Sequence, residues 1–85
     1  RARSSGGLDP DSRGAAMITR REREVLRHVA RGQSAPEIAE ALGIKILTVR
    51  THIRNLMGKL GVHSRLEAVM LALRLGLIEA PNGTV

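Results

Sequence analysis

The sequence predicts an all-α fold, a bundle-like arrangement of four short helices between residues 18 and 78. Apolar residues recur three or four positions apart in four segments, and no segment alternates apolar and polar residues as a half-buried strand does. Each segment is followed by a glycine, a residue that often ends a helix. These glycines are Gly32, Gly43, Gly61 and Gly76.

The helix starts are marked as clearly as the ends. At three places a hydroxyl residue is followed three positions later by glutamate, which is typical of a capping box, where both side chains accept hydrogen bonds from backbone N–H groups. The pairs are Thr19 with Glu22, Ser34 with Glu37, and Ser64 with Glu67. The predicted helices cover residues 20–31, 35–42, 46–60 and 65–75.

The two ends of the chain predict no regular structure. Residues 1–17 are rich in Gly, Ser, Asp and Arg and lack apolar periodicity, so we expect a flexible linker or tail. Residues 79–85 contain Pro, Asn and Gly and predict a flexible C-terminal tail. The ordered domain is therefore expected to span residues 18–78.

The composition excludes several kinds of site. None of the 85 residues is cysteine, so disulfides, thiolate metal sites and thiol catalysis are excluded, and a cytoplasmic location is expected. The absence of Phe, Tyr and Trp argues against the stacking platforms that bind single-stranded nucleic acid. We expect no cofactor, no metal and no enzymatic activity, because the sequence also lacks a glycine-rich phosphate loop and a cluster of metal ligands.

Positive charge is concentrated in the middle of the chain. The formal net charge is +6, and the stretch from Gly43 to Leu66 contains five basic residues and no acidic one. A local basic stretch in a small domain favours a polyanionic partner. An ordinary solvated surface is the alternative interpretation of the charge alone.

The second and third predicted helices are joined by residues 43–45 only. A short helix, a tight turn containing glycine and a longer basic helix form a helix-turn-helix, whose second helix enters the major groove of DNA. Opposite the apolar stripe of that helix lie the candidate base-reading residues, Leu47, Arg50, Thr51 and Arg54. Arg50 and Arg54 lie one helical turn apart, and each can donate two hydrogen bonds to a guanine.

Polar residues around this face are candidates for contacts with the DNA backbone, which position a protein without reading sequence. They are Ser34, Lys45, Thr48, His52, Asn55 and Lys59. His52 has no neighbour at metal-ligand spacing, so we expect it near phosphate and not in a metal site.

The fourth predicted helix is apolar almost all round, whereas a surface helix of a small domain needs only one apolar face. The surplus favours a partner, and a second copy of the chain in a symmetric homodimer is the simplest one. The residues expected at that interface are Val69, Met70, Ala72 and Leu73. Deep burial among the other three helices is the alternative.

Four stretches of the sequence resemble the LuxR-type, or GerE-type, helix-turn-helix domain. They are ITRREREVL (18–26), GQSAPEIAEALGI (32–44), TVRTHIRNLMGKLGV (48–62) and SRLEAVMLALRLGLI (64–78). The resemblance covers the whole of residues 18–78.

The resemblance implies a four-helix domain that binds double-stranded promoter DNA, pairs through its last helix and forms the C-terminal output domain of a bacterial transcriptional regulator. A response regulator is one such protein, and RNA polymerase is a further candidate partner. The resemblance also implies that Arg50, Thr51 and Arg54 approach bases, and that Thr48 and Lys59 lie near the backbone.

The sequence departs from the family pattern mainly at the start of the third helix. Lys45 stands where a serine or another cap residue is usual, and Ile46 and Leu47 stand where polar residues are usual. Leu47 therefore either reads a thymine methyl group or makes no base contact. Arg20 replaces a frequent proline, and Gly58 replaces a larger residue. These departures concern the preferred DNA sequence and not the fold.

Two other functions remain open on the sequence alone. The promoter-reading C-terminal domain of a sigma factor has a similar opening and turn, although it lacks the KLGV junction and the apolar fourth helix. A helical module that binds only protein would explain the fourth helix without any role for nucleic acid.

Overall fold

The computed structural model describes residue 14 and residues 16–80, and within them it shows four helices and no strand. The helices are α1 (Arg20–Ala30), α2 (Ala35–Leu42), α3 (Ile46–Leu60) and α4 (Arg65–Leu75). The all-α prediction is therefore confirmed, with α1 one residue shorter than expected. No helix in this part of the chain is long and apolar enough to cross a bilayer.

The capping boxes of α1 and α2 form as predicted. The Thr19 hydroxyl accepts from the Glu22 backbone N–H at 3.0 Å, while the Glu22 carboxylate accepts from the Thr19 N–H at 2.9 Å. Ser34 and Glu37 repeat the exchange at the start of α2. Each box satisfies backbone donors that the first helical turn leaves without partners.

The third predicted capping box forms only in part. The Ser64 hydroxyl accepts from the Glu67 N–H at 3.1 Å, as expected. The Glu67 carboxylate, however, accepts from the His63 N–H at 2.7 Å and not from the N–H of Ser64. The prediction of a reciprocal box at α4 is wrong, because the carboxylate reaches one residue further back along the chain.

The core is built from aliphatic side chains of all four helices. The largest fully buried ones are Val25 and Leu26 of α1, Ile38 of α2, and Val49 and Leu56 of α3. Both α1 and α3 pack against every other helix, whereas α2 and α4 are not in contact with each other. The α1–α3 pair therefore forms the centre, with α2 and α4 on its flanks.

Most of the predicted linker and tail lies outside the described residues, namely residues 1–13, 15 and 81–85. Of the part that is described, Gly14 is buried, and a Cβ atom there would overlap the carbonyl oxygen of Lys59. The chain therefore already touches the end of α3 four residues before the predicted start of the domain.

Candidate nucleic-acid interface

The third helix has one buried and one exposed face. The buried face consists of aliphatic side chains, Val49, Ile53, Leu56 and Leu60. The opposite face, here called the reading surface, consists of the four predicted base-reading residues, Leu47, Arg50, Thr51 and Arg54, and all four are exposed. The structure therefore places these residues together on one solvent-facing side of α3.

The reading surface carries charge that the rest of the domain does not neutralise. Neither Arg50 nor Arg54 takes part in an ion pair in the described part of the chain, where the ion pairs are Arg21–Glu24 and Lys59–Glu22. Two like charges four residues apart on a helix disfavour it slightly. An anion held between them would reverse that effect.

A tight turn holds the reading surface at a fixed angle to α2. Gly43 ends α2 in the left-handed conformation at φ 68°, where a side chain would be strained. The N–H of Ile44 then donates to the Ala39 carbonyl at 3.0 Å, and the Ile44 side chain packs on the core. Lys45 precedes α3 without forming a side-chain cap. The helix-turn-helix geometry therefore depends on backbone hydrogen bonds and packing.

The predicted phosphate-contacting residues surround this surface. Lys45, Thr48 and Asn55 are exposed and have no side-chain hydrogen bond within the described chain. Ser34 is exposed but its hydroxyl already caps α2, and His52 is half-buried. These residues form a band of polar groups beside the reading surface.

Lys59 differs from the other phosphate candidates because its ammonium group has partners within the domain. It donates to the Glu22 carboxylate at 2.8 Å and to the Met17 carbonyl at 3.0 Å. An ammonium group has three N–H donors, so one remains for an external acceptor. The long-range contact with Glu22 was missed in the sequence, where Glu22 was assigned only to a cap.

Glu22 is the one buried charged residue in the described chain, with 4% of its surface exposed. Burial by itself raises the pKa of this carboxyl group, because the charged form loses hydration. The hydrogen bonds from Lys59 and Thr19 and the positive charge of Lys59 outweigh burial, so the pKa of Glu22 lies below its ordinary value. Glu22 is therefore charged at neutral pH.

The fourth helix exposes a second surface, which is apolar. Leu66, Met70 and Leu73 follow one another at helical spacing and are exposed, and Val69 beside them is half-buried. Ala72 is 0% exposed and lies in the core. The prediction placed Ala72 on an outward face of α4, whereas Ala68 and Ala72 share the side that packs inwards. Leu66 was not among the residues predicted for that interface, although its spacing to Met70 and Leu73 places it on the same exposed side.

Within residues 14 and 16–80, no three His, Asp or Glu side chains come close enough together to hold a metal ion. The two surfaces described above, one basic and one apolar, are the candidate functional surfaces of the described residues.

The fold and the exposed basic face of α3 define a helix-turn-helix domain of the DNA-binding class. The pattern of the GerE family, described as bacterial regulatory proteins of the luxR family, matches residues 16–72. The chain belongs to the LuxR family of bacterial regulatory proteins.

Curated relatives are similar to this chain over most of its length. The chain is 44% identical over 69 residues to an uncharacterized transcriptional regulatory protein, YhcZ, of Bacillus subtilis, with 81% of this chain and 32% of the relative covered. It is 46% identical over 63 residues to the response regulator protein VraR of Staphylococcus aureus, with 74% of this chain and 30% of the relative covered. The chain thus spans about a third of the length of these relatives.

Membership of this family indicates a DNA-binding, regulatory role and not a catalytic one. It also decides between the two classes of DNA-binding protein that the sequence left open, in favour of the LuxR family over the sigma factors.

Proposed function

We propose that this domain binds promoter DNA sequence-specifically by placing α3 in the major groove, as the output domain of a bacterial transcriptional regulator. One observation carries the proposal: Arg50 and Arg54 lie one turn apart on the exposed face of the second helix of a helix-turn-helix, without ion-pair partners in the described chain. A DNA duplex supplies the anionic partner that such a surface lacks.

The spacing of the two arginines suits neighbouring base pairs. Residues four apart on a helix are separated by about 6 Å along its axis, and base pairs of B-DNA are stacked about 3.4 Å apart. Each guanidinium group can therefore donate to the O6 and N7 atoms of a different guanine, within about two base-pair steps. Thr51 lies between them and can donate to a base, accept from one, or touch a thymine methyl group.

Contacts with the DNA backbone would fix the register of α3 in the groove. We assign them to the polar band beside the reading surface, namely Ser34, Lys45, Thr48, His52 and Asn55, and to the remaining donor of Lys59. The hydrogen bond to Glu22 already restricts the Lys59 side chain. Lys59 would therefore lose little conformational entropy on binding a phosphate.

The apolar surface of α4 supports pairing of two domains. A symmetric homodimer through Leu66, Met70 and Leu73, with Val69 at its edge, would cover side chains that are otherwise in water. Two reading surfaces related by a two-fold axis would then match a partly palindromic DNA site. We extend the proposal to the longer protein: a cytoplasmic regulator, of the response-regulator kind, whose other domain receives a signal and which acts on RNA polymerase at the promoter.

The proposal is tested by measuring affinity for a duplex selected from random sequences, by fluorescence anisotropy at several salt concentrations. Affinity should fall steeply with salt, since counterions are released from the DNA. Arg50→Ala and Arg54→Ala should each weaken binding by about 1–3 kcal/mol.

Arg27→Ala is the matched control, because Arg27 is an exposed arginine on α1, outside the reading surface. It should leave the affinity almost unchanged. Equal affinity for the wild type and both reading-surface variants would refute the assignment of the readers. Failure to bind any duplex at low salt would favour the module that binds only protein.

A further inference from the structure

Six large apolar side chains are exposed in the described part of the chain, and they fall into separate groups. Three lie on α4 and belong to the proposed dimer surface, and Met17 lies before α1. The remaining two, Ile46 and Leu47, are the first two residues of α3 and precede Arg50 by about one helical turn. Leu47 is 72% exposed. Neither the core nor the pairing surface explains this last group.

Leu47 shares the exposed face of α3 with the proposed base readers. It precedes Arg50 by three residues and Thr51 by four, and these are the spacings at which side chains lie next to each other on a helix. When the arginines reach base edges, Leu47 reaches the same groove one turn nearer the start of the helix. This inference therefore rests on the proposed function.

The chemistry of Leu47 restricts what it can face in that groove. Its side chain neither donates nor accepts a hydrogen bond, so covering a polar base edge would strip water from that edge without replacing its hydrogen bond. In the major groove, thymine alone among the four bases presents an apolar group, its C5 methyl. A phosphate is equally unsuitable, since it is the most strongly hydrated part of the duplex.

We infer that Leu47 selects a 5-methylpyrimidine, normally thymine, in each half of the DNA site. The start of α3 thus reads a methyl group, while Arg50 and Arg54 read guanines further along the groove. A site for this protein should therefore contain a thymine beside the guanine-reading positions of each half-site.

The test replaces each thymine of the selected duplex in turn by deoxyuridine. This change removes the methyl group and keeps every base-pairing hydrogen bond. Burial of one methyl group is worth about 0.8 kcal/mol. At one thymine in each half-site, replacement by deoxyuridine should therefore lower the affinity of the wild type about fourfold. At that position, 5-methylcytosine should bind better than cytosine by a similar factor, because it carries the methyl group at the same place.

To identify the side chain that contacts the methyl group, the deoxyuridine series is repeated with Leu47→Ala. The ratio of affinities for thymine and deoxyuridine should then fall to about one, and thermal unfolding should show that the variant folds, since the side chain is exposed. Leu66→Ala is the matched control: it removes an exposed leucine on α4, and whatever its effect on overall affinity, it should keep the fourfold ratio.

Each outcome is decisive. Equal binding of thymine and deoxyuridine at every position by the wild type would overturn the inference, while the effects of Arg50→Ala and Arg54→Ala would still support the proposed function. A methyl preference that persists in Leu47→Ala would assign the contact to another residue and so also overturn it. If the wild type bound no duplex at all, the proposed function itself would fail.

Discussion

The ammonium group of Lys59 lies 2.8 Å from the carboxylate of Glu22, and so joins the last turn of α3 to the first turn of α1. The same carboxylate oxygen accepts from the backbone N–H of Thr19. One side chain therefore both caps α1 and holds the end of α3. The contact fixes how the helix that carries the reading surface lies on the rest of the domain.

Replacing Glu22 by glutamine should lower the free energy of unfolding by about 1–2 kcal/mol, because the acceptor of the Lys59 hydrogen bond loses its negative charge while the shape of the side chain is kept. Urea unfolding measures the change. Glu37→Gln is the control, because Glu37 has the same capping position on α2 but is exposed and forms no ion pair in the described part of the chain. Equal effects of the two substitutions would show that Glu22 acts only as a cap.

The same pair predicts how stability depends on pH. Because the pKa of Glu22 is lower in the folded chain than in the unfolded chain, its contribution is complete above the unfolded value and is lost as the pH falls through the folded value. The difference in unfolding free energy between wild type and Glu22→Gln should therefore shrink on acidification below about pH 4.3. A difference that stays constant in acid would contradict the assigned pKa direction.

Gly58 is exposed within α3, and a Cβ atom there would meet nothing within 4 Å. Gly58→Ala should therefore raise the free energy of unfolding by about 0.5–1 kcal/mol, since alanine loses less backbone entropy in a helix. Gly43→Ala is the opposite control: Gly43 has a positive φ of 68°, so the same substitution should destabilise the domain. Urea unfolding distinguishes them, and a loss of stability in Gly58→Ala would contradict the account of this position.

The apolar surface of α4 predicts weak self-association of the domain. Met70→Glu should shift the monomer–dimer equilibrium towards monomer in sedimentation equilibrium, because a charge would be buried in the interface. Met17→Glu is matched to it, since Met17 and Met70 are both 61% exposed. The control should associate like the wild type. Equal association of all three proteins would place the dimer interface elsewhere.

Local signals made the fold predictable from the sequence. The start and end of a helix depend on side chains within a few residues, so Thr19, Ser34 and the four glycines located the elements almost to the residue. Helix α3 has no side-chain cap, yet its apolar stripe at helical spacing was sufficient. The reading surface followed from the same stripe, since Arg50 and Arg54 lie opposite it.

The rest could not be predicted because it depends on packing between distant parts of the chain. The contact between Glu22 and Lys59 joins residues 37 positions apart, and no local pattern indicates it. On an almost wholly apolar helix such as α4, the side that faces the core likewise depends on the helices that pack against it, α1 and α3. This is why Ala72 was assigned outwards and Leu66 was overlooked. At α4, the carboxylate of Glu67 accepts from the N–H of His63 and not from that of Ser64, and the capping pattern in the sequence does not distinguish these two adjacent donors.

The most direct test of the central proposal is protection of guanine N7 from methylation by dimethyl sulfate on the selected duplex, because N7 faces the major groove. The wild type should protect guanines in each half-site. Arg50→Ala and Arg54→Ala should each restore the reactivity of a different guanine at saturating protein, and Arg27→Ala should restore none. Two results would contradict the proposal that α3 reads the major groove. One is that the guanines stay fully reactive while the wild type is bound, and the other is that both variants still protect every guanine.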